Sequence, residues 1–438
     1  MMNWRVFNLK VSVVGLGKLG ACMLALYASK GHKVYGVDVN QETVDCINKG
    51  GCPVKEHHLP RLLKVARDNI YCSTDFNGIK NTEITFIIVP TPTDESGEFT
   101  NRYVSDALTK VCEVIKDKKQ YHLIVITSTV KLGSMRKDFA PIIESVTKTK
   151  VNERFGLNYN PEFIALGDVI HGLDAPDALL IGESDQVAGD FLQIFYAETC
   201  RVMPSVHRMS WENAEVSKLM LNVCVTTKIS LANTITQVCD RIEGGNVDKV
   251  TEFLGADSRI GSKYIKGGLS FSGECFPRDS RAFYKMGERI GLECVLQRVN
   301  DEFNNDHNKF VLSKMLKLLP KGSKRVSLLG VSFKPNTPVT TESPAIDFAK
   351  GLTTYGYEVV AYDPQGKINE AKMKLSIQEC LKDSDLAVLV TPWSEFKDLI
   401  PKDFQGMKSP IVLDCWRLLG KGLFKGSNVE YHALGLSD

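Results

Sequence analysis

Six residues, Gly15-Leu16-Gly17-Lys18-Leu19-Gly20, have the spacing that lets a main chain wrap a pyrophosphate. In a Gly-x-Gly-x-x-Gly loop the glycines allow a tight turn and a close approach of phosphate to backbone. The helix that follows offers unpaired N–H groups at the positive end of its dipole. Asp38 stands at about the 20-residue offset expected of the acid that binds the adenosine ribose hydroxyls. A carboxylate there repels a 2′-phosphate, so NAD is expected rather than NADP. The loop alone is weak evidence, because a strand–turn–helix can use glycines merely to pack. Its surroundings decide.

Those surroundings read as βαβ. Segment 10–14 is a short apolar strand, 19–29 a helix and 33–37 a second strand closed by Asp38, with buried strands at 83–89 and 123–127. A stretch without Pro or Gly over 211–242 predicts one long helix, ended by Gly244-Gly245. Shorter helical segments continue to about 317, broken by a glycine-rich loop at 267–273. Alternation then resumes, with strands at 324–329, 358–362, 386–390 and 411–413 and a helix around 346–354. The expected fold class is α/β: two Rossmann-like, doubly wound parallel sheets joined by a central helical segment. The expected domains are 1–205, whose glycine loop would take NAD, 206–319 and 320–438.

Composition sets bounds. With 438 residues, 24% charged, 43% hydrophobic and a net charge of +2, the chain has the profile of a multidomain globular protein, without the basic bias of a nucleic-acid binder. Twelve cysteines form no Cys-x-x-Cys pair, and the eight histidines show no metal-like clustering, so no metal is expected. Unbridged thiols point to a reducing, cytoplasmic setting. The apolar stretch near the start holds three glycines and Lys18, which suits a strand, loop and helix better than a signal peptide. No apolar run is long enough for a membrane span.

Further motifs name the chemistry. Val89-Pro90-Thr91-Pro92-Thr93, Ser128-Thr129-Val130, Asn160-Pro161-Glu162-Phe163 and Gly273-Glu274-Cys275-Phe276-Pro277-Arg278-Asp279 follow in order. Lys218-Leu219 with Asn222, Arg259-Ile260-Gly261, Leu329-Gly330 through Phe333-Lys334-Pro335-Asn336-Thr337, and Glu342-Ser343-Pro344 complete the set. In this order and spacing they resemble the UDP-glucose/GDP-mannose dehydrogenase family over nearly the whole chain. The resemblance implies oxidation of a sugar-nucleotide C6 alcohol to a carboxylate with two NAD reduced per turnover, most simply UDP-glucose to UDP-glucuronate, by a homodimer or larger homo-oligomer. It makes Cys275 the nucleophile that adds to a bound aldehyde. Lys218 and Asn222, four apart on one helix face, would share stabilisation of the oxyanion. Asp279 would orient water or hold Lys218, and Glu162 and Thr129 would position water or move a proton. Val89, Pro90, Thr91, Thr129 and Arg278 join the cofactor contacts. Phe163, Arg259, Lys266, Phe271, Ser272, Gly273, Phe333, Lys334 and Arg417 join Glu162, Lys218 and Asn222 around the substrate.

Taken singly, these residues have plainer readings: Cys275 a structural thiol, Lys218 a solvent-facing helix residue, Glu162 a helix-start acid, Arg259 half of a surface ion pair. The sequence also departs from the family pattern. Lys18 and Leu19 replace Tyr and Val, and Glu274 precedes Cys275, where it is expected to point away. Leu166 and Thr341 stand where relatives carry polar or charged residues, Pro338-Val339 replaces an acidic pair, and Arg417 is shifted by one position. These changes bear on substrate identity more than on reaction type, leaving GDP-mannose and UDP-N-acetylhexosamines as alternatives, although Phe163 favours the glucose and GDP-mannose branches. A two-electron hydroxy-acid dehydrogenase would not need Cys275, and a non-catalytic nucleotide-sugar-binding protein would not need the set Cys275, Lys218, Asn222 and Asp279.

Overall fold

The structure is a computed structural model and describes residues 8–95, 97–164 and 167–437. Leu166 lies outside them. Packing divides the chain into two units, Met1–Met220 and Leu221–Asp438, with the division inside the helix Trp211–Cys239. The family-style partition at 205 and 319 is a different one, since here the central helices pack with the C-terminal sheet as one unit.

The first unit is built on eight strands: β1 (Lys10–Val14), β2 (Lys33–Val37), β3 (Ile70–Ser73), β4 (Ile84–Ile87), β5 (His122–Ile126), β6 (Phe155–Tyr159), β7 (Ala178–Glu183) and β8 (Ser205–Met209). Their order is β3-β2-β1-β4-β5-β6-β7-β8; β6 and β7 pair antiparallel and the other neighbours are parallel. A parallel sheet covered on both faces needs strands that are apolar throughout, and β4 and β5 are buried at every position. Helix Gly20–Ser29 covers one face, with Gly20 to Ala28 all buried. Helix Arg102–Ile115 lays Val104, Leu108, Val111 and Ile115 on the other. Strand order reverses between β1 and β4, and such a switch point opens a crevice at the strands' carboxyl ends.

The second unit begins with helices Val247–Ala256, Phe276–Arg289 and Val295–Leu318 after the long one. It then forms a parallel sheet from β9 (Arg325–Leu329), β10 (Glu358–Tyr362), β11 (Lys372–Met373), β12 (Leu386–Leu389), β13 (Ile411–Asp414) and β14 (Glu430–Ala433), ordered β11-β10-β9-β12-β13-β14. The fold class is therefore as expected: two parallel-sheet α/β regions with helices between them. After β14 the chain returns to the end of the long helix: Val247 N–H donates to Gly435 O (3.0 Å), Ser437 N–H to Gly245 O (3.1 Å), and the Ser437 hydroxyl to Ile242 O.

Among the shorter helical segments expected up to about 317, Val295–Leu318 is one 24-residue helix. Its buried face carries Asn300, Asn304, His307 and Asn308 among Val311 and Met315, so the apolar period that marks a helix is broken by polar residues that are nonetheless buried. The long helix stops at Cys239, short of the expected 242.

Candidate active site

The glycine loop connects β1 to helix Gly20–Ser29. Gly15 takes φ +96°, and a Cβ there would stand 2.4 Å from the Ile88 carbonyl oxygen, so both conformation and space demand glycine. Around Gly17 nothing lies within 4 Å of a built Cβ, which leaves the main chain open to a ligand. The helix start has no side-chain cap and no acid in its first turn. Orphan N–H groups with no competing carboxylate suit a pyrophosphate. Asp38 follows β2; its Oδ2 accepts the Leu16 N–H at 2.6 Å and its Oδ1 accepts the Asn40 N–H at 2.9 Å. It thus braces the loop, and being half-buried it keeps a face toward solvent for ribose hydroxyls. Beyond its expected role, Asp38 holds the phosphate loop in shape.

The neighbouring strand ends supply the next group. Val89, Pro90 and Thr91 follow β4, and Ser128 and Thr129 follow β5. The Ser128 hydroxyl donates to Val89 O at 2.7 Å, fixing one segment to the other and leaving Thr129 half-buried. After β6 come Glu162 and Phe163. Lys218, on the long helix and 7% exposed, donates from Nζ to the Glu162 carbonyl oxygen at 2.6 Å and stands 4.7 Å from the centre of the Phe163 ring. Burial pushes the Glu162 carboxyl up to about 7, against the pull of the Lys218 ammonium. A carboxyl that changes charge near neutrality is matched to proton transfer. In the first unit the structure therefore brings Lys218 against Glu162 and Phe163.

In the second unit Cys275 is the N-cap residue of helix Phe276–Arg289 and is exposed. No cysteine of the chain is in a disulfide. Sulfur at a helix start meets the positive end of the dipole, which stabilises an anion there. One turn on, Asp279 is 1% exposed. Its Oδ2 accepts the Asn222 amide N–H at 2.7 Å, and its Oδ1 accepts Arg278 Nε and Nη2 at 3.0 and 2.9 Å. Asp279 thus orients Asn222 and is balanced by Arg278, whose guanidinium is committed here. Gly273 takes φ +88°, and a Cβ on it would stand 2.7 Å from the Phe333 ring, so Phe333 packs against the backbone of the loop that carries Cys275. Lys334 Nζ lies 5.6 Å from that ring's centre.

The loop 267–273 is held by side chains that sequence reasoning missed. Asn233 accepts the Gly268 N–H at 2.9 Å and donates to Leu269 O at 3.0 Å. Asn304 does the same for Phe271, at 2.8 and 2.9 Å, and His307 Nε2 meets Gly268 O at 2.8 Å. These amides replace the partner strand that the loop lacks. One signal was available: Asn233 lies eleven residues, about three turns, after Asn222 on the same helix face.

Other expected residues are placed differently. Arg259 is exposed and paired with Asp257 through Nη2 at 2.6 Å. Lys266 is exposed, whereas Phe271 and Ser272 are buried. Arg417, 4% exposed, donates to Asp248 Oδ2 (2.8 Å), Gly267 O (2.6 Å) and Leu434 O (2.9 Å), so it braces the unit from inside. Among the described residues no cluster of His, Cys, Asp and Glu could hold a metal, and no helix is long and apolar enough to cross a membrane.

Comparison with known proteins agrees along the chain. Residues 9–200 match the NAD binding domain of the UDP-glucose/GDP-mannose dehydrogenase family, 212–306 its central domain and 327–421 its UDP binding domain. The chain is 30% identical to a UDP-glucose 6-dehydrogenase of Haloferax volcanii, over 94% of this chain and 97% of that one. It is also 30% identical to a GDP-mannose 6-dehydrogenase of Pseudomonas putida, over 81% of each. The solved structure of a UDP-glucose dehydrogenase from Pyrobaculum islandicum superposes with a TM-score of 0.86 at 28% identity, covering all of both chains. Glycine loop, Cys275 loop and second sheet thus fall in one NAD-dependent oxidoreductase family of nucleotide-sugar 6-dehydrogenases, and the chain belongs to the UDP-glucose/GDP-mannose dehydrogenase family.

Proposed function

We propose that this protein oxidises UDP-glucose to UDP-glucuronate: one C6 alcohol, one water and two NAD+ give one carboxylate, two NADH and three protons. The observation that carries the reading is Cys275, exposed at a helix start, with Asp279 one turn away orienting Asn222. NAD, when bound, accepts the two hydrides.

The chain's own residues do the rest. Glu162, poised near 7, takes the proton released as the alcohol is oxidised. The Cys275 thiolate adds to the resulting aldehyde to form a thiohemiacetal; a bare aldehyde is a poor hydride donor and this tetrahedral adduct a good one. Lys218, by charge, and Asn222, by hydrogen bonding, stabilise the oxyanion. Loss of the second hydride leaves a thioester, and water adds to it and releases Cys275. Glu162 and Thr129 position that water. The division of labour follows the segments: 1–205 for NAD, 206–319 for the nucleophile and self-association as a dimer, 320–438 for the nucleotide, with Phe333 and Lys334 against it.

The test is to incubate the protein with NAD and a panel of UDP-glucose, GDP-mannose and UDP-N-acetylhexosamines, counting NADH per product. Two NADH and a uronate from UDP-glucose are expected, with Cys275→Ala forming none. One NADH per product, unchanged in Cys275→Ala, would remove the proposal; preference for GDP-mannose, which the Pseudomonas putida relative keeps in the panel, would replace the substrate.

A further inference from the structure

The nucleophile's segment is tied to the loop 333–342 on both sides of Cys275. Two residues before the thiol, Gly273 donates its N–H to Thr341 O at 3.0 Å and carries the Phe333 ring on its backbone. Six residues after it, on the helix that Cys275 caps, Arg281 forks onto Glu342: Nη1 to Oε1 at 2.8 Å and Nη2 to Oε2 at 2.9 Å. The third guanidinium nitrogen, Nε, reaches Asp301 on helix Val295–Leu318 at 3.2 Å. Glu342 takes φ +51°, a left-handed conformation that a residue other than glycine keeps only where its surroundings hold it.

The pair is partly open to solvent, with 35% and 40% of its side chains exposed, so its contribution to stability is small. Its value is direction. A bidentate fork fixes both distance and angle, which a point charge cannot do. Since Thr341 and Glu342 are consecutive, any shift of this loop pulls on Cys275 from before and after.

Resting on the reading that loop 333–342 takes the nucleotide and Cys275 is the nucleophile, we propose that Arg281 and Glu342 are positioning residues that set the Cys275 thiol according to whether the nucleotide occupies its loop. The thiol therefore answers to the loop through Gly273 on one side and Arg281 on the other.

The experiment uses the full chain and UDP alone as probe. The rate of carboxymethylation at Cys275 is read by peptide mass spectrometry, with and without saturating UDP, beside the UDP affinity measured by calorimetry. UDP should change the wild-type rate by about fivefold or more. In Arg281→Met, UDP affinity should stay within about threefold, as expected for a partly exposed pair, while the response at Cys275 collapses both there and in Glu342→Gln. Arg281→Lys, which keeps the charge and loses the fork, should respond between the two. Should Arg281→Met fold poorly, Glu342→Gln decides. An undiminished response in the variants, or UDP binding to the wild type without any change at Cys275, overturns the coupling alone. Failure of the wild type to bind UDP instead overturns the assignment of the nucleotide loop.

Discussion

The two sheets start alike and diverge at one acid. In each, the first strand is followed by a glycine at positive φ, Gly15 at +96° and Gly330 at +93°. That glycine's N–H donates to the last residue of the second strand, Val37 O at 2.8 Å and Tyr362 O at 2.7 Å. An aspartate follows the second strand in each case. Asp38 accepts from Leu16 and Asn40 and stays half-buried. Asp363 is 9% exposed and accepts from six donors: the N–H groups of Val331, Ser332, Gln365 and Gly366, the Ser332 hydroxyl and the Trp393 indole. A carboxylate has about four lone-pair sites, so Asp363 has none left for a ribose. In the first sheet the helix begins at Gly20; in the second, a long loop runs from Gly330 to the helix at Pro344. The same frame therefore leaves the acid partly available in the first sheet, and wholly committed to the fold in the second, where a long loop takes the place of the short glycine turn.

The comparison breaks first at Asp363. Asp363→Ala strands several buried donors and should lower unfolding free energy by about 3 kcal/mol or more, read from urea unfolding; a loss comparable to that of Asp38→Ala would mean the two acids do the same work. The next test pairs Glu162 with Asp414, both acids that burial has raised. In the proposed mechanism Glu162 acts as the carboxylate, so kcat/KM should climb with pH through about 7 as it loses its proton. Glu162→Gln should flatten that limb and cost about a hundredfold in rate. Asp414 ends β13 bonded to Trp416 N–H, Leu419 N–H and the Tyr431 hydroxyl, and Asp414→Asn should leave the limb in place. The smallest effect is expected at Asp38→Ala, where KM for NAD rises by about tenfold with little change in melting temperature.

Much of this frame was legible in the sequence, and particular residues show why. Strands β1, β2 and β10 could be read to the residue because apolar runs were bracketed by glycine, lysine or aspartate. β3, β6 and β8 could not: Ile70–Ser73 is a partly exposed edge, Phe155–Tyr159 contains Gly and Asn, and Ser205–Met209 contains His and Arg. Cys275, Asp279 and Asn222 were found through their motifs. The tie of Arg281 to Glu342 spans 61 positions and leaves no local pattern. Arg417 shows the opposite failure: position near a motif suggested a substrate contact, whereas its donors point into the protein.

The return of residues 435–437 to the end of the long helix has a consequence for how the protein is made. Ser437 bonds to Ile242 across 195 positions. At a synthesis rate of about 5–20 residues per second, that interval is about 10–40 s. The first sheet can close while the ribosome is still working, but the end of the long helix must wait, its Ile242 and Gly245 carbonyls without the partners they have in the folded protein, for residues not yet translated.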